Sequence, residues 1–281
     1  MIDLHTHSLA SDGSDAPADV LRRAVEKGLS GVALTDHDTI SGLHDFMTAA
    51  EGKNIEAVPG VEISSFLYNK EIHILGLFID PSSESLHTFL AQARENRNRR
   101  NQIMLEKLNA IGYEITEEEL QNEAGGESVG RPHFAKILVR KGYFTDIQEA
   151  FAHCLKRGAR AYTPRQPASP QESIEAIHAA GGLAFWAHPV YQKPGERSFV
   201  RRYLRHLVPL GLDGIEAYYS LYSLRQHQML KEMAVEFGLL ICGGTDYHGI
   251  HHPGIELGSG GGGLNIPDSV LENIRRKARP V

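Results

Sequence analysis

Short apolar segments alternate with longer amphipathic segments in residues 1–79 and again in residues 171–281. The short segments have the length and composition of strands, and the longer ones carry apolar residues at helical spacing. This alternation predicts βα units around a parallel sheet that is either open or closed into a barrel. We predict strands at residues 2–4, 31–34, 57–58 and onward, 71–78, 183–186, 214–217 and 239–242, and helices at residues 17–27, 42–51 and 171–180.

The alternation stops between residues 84 and 160, where no convincing strand is present. The pattern there predicts one long helix at residues 85–111 and three shorter ones at residues 117–122, 132–141 and 147–156. We therefore expect a barrel in two parts, residues 1–83 and 166–281, with a helical insertion at residues 84–165. Five basic residues on the long helix predict a solvated face or, alternatively, a guide for a nucleic-acid strand: Arg94, Arg97, Arg99, Arg100 and Lys107.

Residues of the types that bind metals follow many of the predicted strands. His5 and His7 are two apart, so a strand would point both imidazoles to one side, and Asp246 and His248 repeat this spacing. Glu62 is the natural bridging carboxylate, because its two oxygens can bind two cations. The other candidates at strand ends or in the adjoining loop are Asp12, His37, His73 and His188. Together these positions predict one multi-metal centre at the carboxyl ends of the strands, which favours a barrel.

Imidazole combined with carboxylate suits Mn, Fe or Zn better than Mg. For His73 or His188 alone, a capped or solvated histidine is an equally good interpretation, but six separate strand ends each carry a ligand type. We expect Asp36 to orient the His37 ring. His251 and His252 belong either to the surroundings of the metals or simply to a loop.

Composition excludes some functional classes. A net charge of -6 argues against broad binding to nucleic acid or membranes, although it permits a local basic groove. The two cysteines, Cys154 and Cys242, lack CxxC spacing, which fits a reducing compartment. No apolar segment reaches membrane-spanning length, and a ligand candidate already at position 5 leaves no room for a secretory signal. We expect a cytoplasmic protein without an obligate protein partner.

The segments DLHTHS, TDHD, PGVE, HILG, AHP and GTDYH occur in this order. Together they resemble the PHP family, named for polymerase and histidinol phosphatase. The resemblance implies a distorted (β/α)7 barrel of the PHP type with two or three divalent metals, and central catalytic roles for Glu62, Asp246 and His188. It implies a first metal on His5, His7, Glu62 and Asp246, a second on Glu62, His73 and His188, and a third on Asp12, His37 and His248.

A second resemblance comes from GRPHFAK at residues 130–136, YTP at residues 162–164 and AGG at residues 180–182. These segments are similar to the branch of the family that contains nucleoside 3',5'-bisphosphate phosphatases and a 5'-to-3' exoribonuclease. The branch implies that the insertion caps the metal cleft. Arg131 and Lys136 lie at the start of a predicted helix, where they suit a phosphate. The alternative for Arg131 is an exposed surface charge, and the alternative for His133 is a side chain packed inside the protein. The expected phosphate-binding residues are Arg131, His133, Lys136 and Arg165.

These features predict a metal-dependent phosphoesterase that removes the 3'-phosphate of a nucleoside 3',5'-bisphosphate such as 3'-phosphoadenosine 5'-phosphate. The nearest alternative is a 5'-to-3' exoribonuclease acting on short 5'-phosphorylated RNA. A small-molecule phosphatase, such as a histidinol-phosphate phosphatase, and a non-catalytic metal-binding module are the others.

Overall fold

A computed structural model describes residues 1–68, 70–124, 129–164, 168–190 and 197–278. Within these residues, seven strands form one sheet, in which each strand neighbours the next one along the chain. The strands are β1 Ile2–Asp3, β2 Gly31–Leu34, β3 Glu56–Leu67, β4 Lys70–Leu77, β5 Leu183–Ala187, β6 Gly214–Tyr219 and β7 Leu240–Gly244.

The sheet closes almost completely into a barrel. The backbone N–H of Leu4, just after β1, donates to the carbonyl of Gly243 in β7 at 3.0 Å, and Thr6 and Tyr247 form a further parallel bridge. All pairings between neighbouring strands are parallel except those of β4, which runs antiparallel to β3 and β5. The expected all-parallel sheet is therefore wrong at β4. The register pairs Leu67 with Lys70, and so short a connection cannot hold the crossover that parallel strands need.

Ten α-helices are seen in the described residues. They are α1 Pro17–Glu26, α2 Leu43–Ala50, α3 Glu84–Ala110, α4 Glu117–Ala124, α5 Arg131–Arg140, α6 Ile147–Ala150, α7 Pro170–Ala179, α8 Arg197–Leu207, α9 Leu224–Phe237 and α10 Asp268–Ala278. A π-helix, Phe151–Leu155, continues α6, and short 3₁₀ helices span Val208–Leu210 and Gly249–His251. None of these helices is both long and apolar enough to cross a membrane.

Three groups of buried apolar residues hold these elements together. The largest joins one face of the strands to α1, α2, α7, α8 and α9 and to the start of α3. A second joins the opposite face of the strands to α10. The third lies within the helices between β4 and β5, where Met104 and Leu108 of α3 pack with Phe134 and Leu138 of α5. Helix α3 thus belongs to the barrel at one end and to this helical cap at the other. The domain boundaries at residues 84 and 165 stay a prediction.

The arginines of α3 do not form one solvated face. Arg97 and Arg100 are only 8% and 7% exposed, whereas the side chain of Arg99 is 69% exposed. The guanidinium of Arg97 forms an ion pair with Asp38, which follows β2. The solvated-face interpretation is therefore wrong for Arg97 and Arg100, because α3 passes over the barrel mouth and directs these two residues into it.

Candidate metal centre

All nine predicted ligand residues converge on one mouth of the barrel. The segments after β1 and β2 bring His5, His7, Asp12 and His37, the segments after β5 and β7 bring His188, Asp246 and His248, and Glu62 and His73 lie within β3 and β4. His73 lies near the start of its strand, not the end. Because β4 is antiparallel to its neighbours, its beginning reaches the mouth where parallel strands end.

Glu62 lies at the centre of this cluster and is fully buried. Its Oε1 is 2.9 Å from Nδ1 of His73 and 2.9 Å from Nε2 of His188. Its Oε2 lies 3.1 to 3.3 Å from nitrogens of three other histidines, those of His5, His7 and His37. The two carboxylate oxygens therefore face two different sets of imidazoles, which is the arrangement required of a bridging ligand.

Two further carboxylates complete the sets of ligand atoms. Asp246 Oδ1 is 3.4 Å from Nε2 of His5 and 3.1 Å from Nε2 of His7. Asp12 Oδ1 is 3.2 Å from Nε2 of His248. In four groups the ligand atoms lie within 4.8 Å of one another: His5, His7, Glu62 and Asp246; His7, Asp12, His37 and His248; His37, Glu62 and His73; and Asp246, His248 and His252. His252 was not among the predicted ligands.

Several buried ligand atoms have no hydrogen-bond partner among the described residues. They are Nε2 of His5, both ring nitrogens of His7, Nδ1 of His37 and Oε2 of Glu62. Buried polar atoms in proteins are almost always paired, because leaving one unpaired is costly. Imidazole nitrogens and a carboxylate oxygen directed at one another fit divalent cations between them.

The cluster also perturbs the ionisation of its members. Burial opposes ionisation of Glu62, but the imidazoles of His37, His5 and His73 hold the pKa of its carboxyl well below the usual range. Burial lowers the pKa of His7, yet Asp246 and Glu62 outweigh it and raise that pKa to about 10. The Glu62 carboxylate is therefore ionised at neutral pH and ready to bind a cation.

A buried carboxylate that the sequence analysis missed contacts two of the predicted ligand residues. Glu216 of β6 is fully buried; its Oε1 is 3.0 Å from Nδ1 of His5, and its Oε2 accepts the backbone N–H of His188 at 2.7 Å. The hydroxyl of Tyr219 donates to Oδ2 of Asp246 at 2.8 Å. The available signal was a glutamate inside an otherwise apolar strand. The role expected for Asp36 is wrong: its carboxylate accepts hydrogen bonds from Ser8 and Ser11, which orders the loop after β1.

Backbone strain is concentrated at the same mouth. His188, Asp246 and Asp38 have φ angles of 31°, 56° and 53° although none is glycine. Such conformations cost about 1–3 kcal/mol each and persist only where the surroundings enforce them. The backbone N–H of His188 donates to Glu216, and the backbone N–H of Asp38 donates to the carbonyl of Glu62 at 2.9 Å, so both strained residues are held by hydrogen bonds.

The helical cap adds cations to one side of the metal cluster. A cavity of about 140 Å³ is lined by Asp12, His37 and His73 from the barrel mouth and by Arg97, Arg100 and Arg131 from the cap. Arg131 also forms an ion pair with Oε2 of Glu71 at 2.6 Å. The cavity thus joins the candidate metal ligands to three guanidinium groups, two of which the sequence analysis had not assigned to a phosphate.

The other expected phosphate-binding residues are placed differently. His133 is 1% exposed, and its Nδ1 accepts the backbone N–H of Gly130 at 3.0 Å. Burial lowers the His133 pKa to about 4, so the ring is neutral and packed inside the cap. Lys136 is half-buried, and this burial lowers the pKa of its ammonium group although Glu123 and Asp12 oppose the shift. Arg165 lies outside the described residues.

Comparison with known proteins decides the family. The PHP domain pattern matches residues 3–158. The chain belongs to the PHP family. Among its PHP relatives, a 5'-3' exoribonuclease of Haemophilus influenzae is 36% identical over 96% of both chains. A 3',5'-nucleoside bisphosphate phosphatase of Chromobacterium violaceum is 33% identical over 92% of this chain and 90% of the relative. A solved structure assigned as a metal-dependent phosphoesterase, from Bifidobacterium adolescentis, aligns with a TM-score of 0.85 at 29% identity and covers 100% of this chain and 97% of that one.

Three sequence predictions are thereby confirmed. They are the PHP family, the PHP-type α/β barrel and the enzyme class, a metal-dependent phosphoesterase. The PHP relatives differ in the substrates that their names give, since one name specifies RNA and another a nucleoside bisphosphate. The substrate of this chain therefore has to be argued from its own cleft.

Proposed function

We propose that this PHP protein hydrolyses the 3'-phosphate of nucleoside 3',5'-bisphosphates to give a nucleoside 5'-monophosphate and phosphate. One observation carries the proposal: a single small cavity has candidate metal ligands on one side and three arginines on the other. Such a cavity suits a ligand with two phosphates, one to react and one to be held. The bisphosphate phosphatase relative at 33% identity supports the same substrate class.

For the metals we propose the three sites implied by the sequence, occupied by Mn, Fe or Zn. The first site uses His5, His7, Glu62 and Asp246, the second Glu62, His73 and His188, and the third Asp12, His37 and His248. When bound, such cations supply a water nucleophile near neutral pH and neutralise the phosphoryl oxygens.

The catalytic residues in this proposal are Glu62, Asp246 and His188. Glu62 joins the first two sites through its two oxygens, Asp246 completes the first and His188 the second. The nearby side chains also exclude bulk water from the reacting phosphate, since Glu62 is fully buried and Asp246 is 8% exposed. That exclusion strengthens every charge interaction at the mouth.

The second phosphate is held, in this proposal, by Arg131 together with Arg97 and Arg100. Arg131 begins α5 and lines the inner cavity together with Arg97 and Arg100, so three guanidinium groups border the same space. An incoming phosphate would take Arg131 from its ion pair with Glu71. Lys136 and Arg165 stay predictions for the same role.

The test is a comparison of substrates in wild type and Arg131→Ala. The variant should lose about ten- to hundred-fold in kcat/KM on a nucleoside 3',5'-bisphosphate, because one charge-assisted contact is worth about 1.5–3 kcal/mol. A generic phosphate monoester lacks the second phosphate and should be hydrolysed at nearly the wild-type rate. Arg99→Ala, at an exposed position of the cap, is the matched control. Equal losses on both substrates would contradict the bisphosphate site.

A further inference from the structure

A second space borders the candidate metal centre, since its walls include His73 and His188 but neither Arg97 nor Arg100. It is a groove of about 790 Å³, more than five times the volume of the inner cavity. The two spaces share Glu71, His73 and Arg131 in their walls. The two spaces therefore adjoin at these three residues, and Nδ1 of His73 lies 2.9 Å from Oε1 of Glu62. A phosphate bound beside His73 borders both spaces.

The groove runs between the cap and the barrel. Its cap wall is formed by α6, the π-helix and the residues just after it, and includes Phe151, Lys156 and Arg157. Its barrel wall includes His188 and Phe199. Lys156 and Arg157 are exposed, and Phe151 and Phe199 are half-buried. Aromatic rings placed among cations, in a groove that leads away from a phosphate-binding centre, are the features by which proteins bind single-stranded nucleic acid.

We propose that this groove binds the part of a single-stranded oligonucleotide that extends from the scissile phosphate in the 3' direction. The inference rests on the proposed function, because it places the scissile phosphate beside His73 and the 5'-phosphate near Arg131. Lys156 and Arg157 contact the backbone phosphates of this extension, and Phe151 and Phe199 contact its bases. A cation, Lys70, lies 5.3 Å from the centre of the Phe199 ring and extends the positive edge of the groove.

The same bond is broken in a bisphosphate and in an oligonucleotide. In both, the oxygen of water bonds to the phosphorus, the bond between phosphorus and O3' breaks, and O3' gains a proton. With a bisphosphate the products are a nucleoside 5'-monophosphate and phosphate. With an oligonucleotide they are the same monophosphate and a shortened chain with a new 5'-phosphate. The two substrates differ only in the group attached to the reacting phosphate, which is the rest of the chain in an oligonucleotide and is absent in a bisphosphate. The groove is the space for that attached chain.

The experiment measures binding and turnover as the chain length of the ligand increases. The probes are a nucleoside 3',5'-bisphosphate and 5'-phosphorylated oligoribonucleotides of two and four residues, with binding measured on chelator-treated protein. Wild type should bind the tetranucleotide at least tenfold more tightly than the bisphosphate. The double variant Lys156→Ala/Arg157→Ala should lose this gain and keep its kcat/KM on the bisphosphate. Its slope of log affinity against log salt should be shallower by about 1.4, which is 0.7 for each lost phosphate contact. Arg99→Ala is again the control.

The outcomes separate this inference from the proposed function. A wild-type protein that shows no gain in affinity with length, or a double variant that keeps the gain, overturns the groove assignment. A double variant that loses bisphosphate turnover as strongly as oligonucleotide turnover overturns it too. If the length-dependent gain is present and is lost in the variant while the bisphosphate is not hydrolysed, the groove stands and the proposed bisphosphatase function fails.

Discussion

The carboxylate of a single residue, Glu62, connects the candidate metal sites. Its two oxygens face different histidines, so one residue ties two groups of ligand atoms together. The sequence analysis predicted a bridging role for Glu62 because its two carboxylate oxygens can bind two cations. The role of Glu216 was missed, because its contact with His5 depends on how β6 and β1 are placed in the barrel, which the sequence does not show.

Replacing Glu62 with Gln should remove most activity without unfolding the protein. An amide is a poorer bridge between cations than a carboxylate, and the change keeps the volume of the side chain. Activity on phosphate esters should fall by at least about a hundredfold, which corresponds to about 2.7 kcal/mol of barrier. Circular dichroism and metal content are measured beside kcat/KM, with Glu51→Gln, at an exposed site, as the control. Near wild-type turnover at full metal occupancy would show that another residue is the bridge.

Glu216→Gln should weaken metal binding without removing a ligand. The Glu216 carboxylate accepts the backbone N–H of His188 and contacts Nδ1 of His5. It therefore fixes both the strained backbone of His188 and the orientation of the His5 ring. Outer partners of metal-bound histidines typically contribute 10- to 100-fold in affinity. Competition with a chelator should show a loss of about this size, while saturating metal restores much of kcat. An unchanged metal affinity would leave Glu216 with a packing role only.

At the scale of the elements, most strands and helices follow from the periodicity of the sequence, but their directions and faces do not. The strand at residues 71–78 was predicted, whereas its antiparallel direction depends on the short connection after β3. The four helices of residues 84–160 were also predicted within a few residues. The burial of Arg97 and Arg100 was not, because helical periodicity cannot say that a barrel mouth lies beneath α3.

The ion pair between Arg97 of α3 and Asp38, which follows β2, links the cap to the barrel. Arg97→Met leaves the fully buried Asp38 without its cation, and removing one partner of a buried pair costs about 3–5 kcal/mol. Urea unfolding should show a loss of this size. The double variant Arg97→Met/Asp38→Asn should recover much of the stability, since it leaves no uncompensated charge. Equal stability of Arg97→Met and Arg99→Ala would mean that the ion pair does not hold the cap to the barrel.

On the scale of the whole molecule, the cleft lies between the barrel mouth, to which several strands contribute, and the helical cap. The barrel closes between β1 and β7, which brings Asp246 and His248 to His5 and His7 although hundreds of residues separate them along the chain. The spacing of motifs predicted that these residues meet. It could not predict the shape of the inner cavity or of the outer groove, because both depend on how the cap packs against the barrel.

The central claim is that the nine converging residues form a multi-metal centre on which phosphoester hydrolysis depends. The most direct measurement is metal analysis of protein purified without chelator, joined to activity before chelation, after chelation and after metal is restored. We expect two or more Mn, Fe or Zn ions per chain, loss of bisphosphate hydrolysis on chelation, and recovery with Mn. Protein that is free of metal and still hydrolyses the bisphosphate at the full rate would contradict the account.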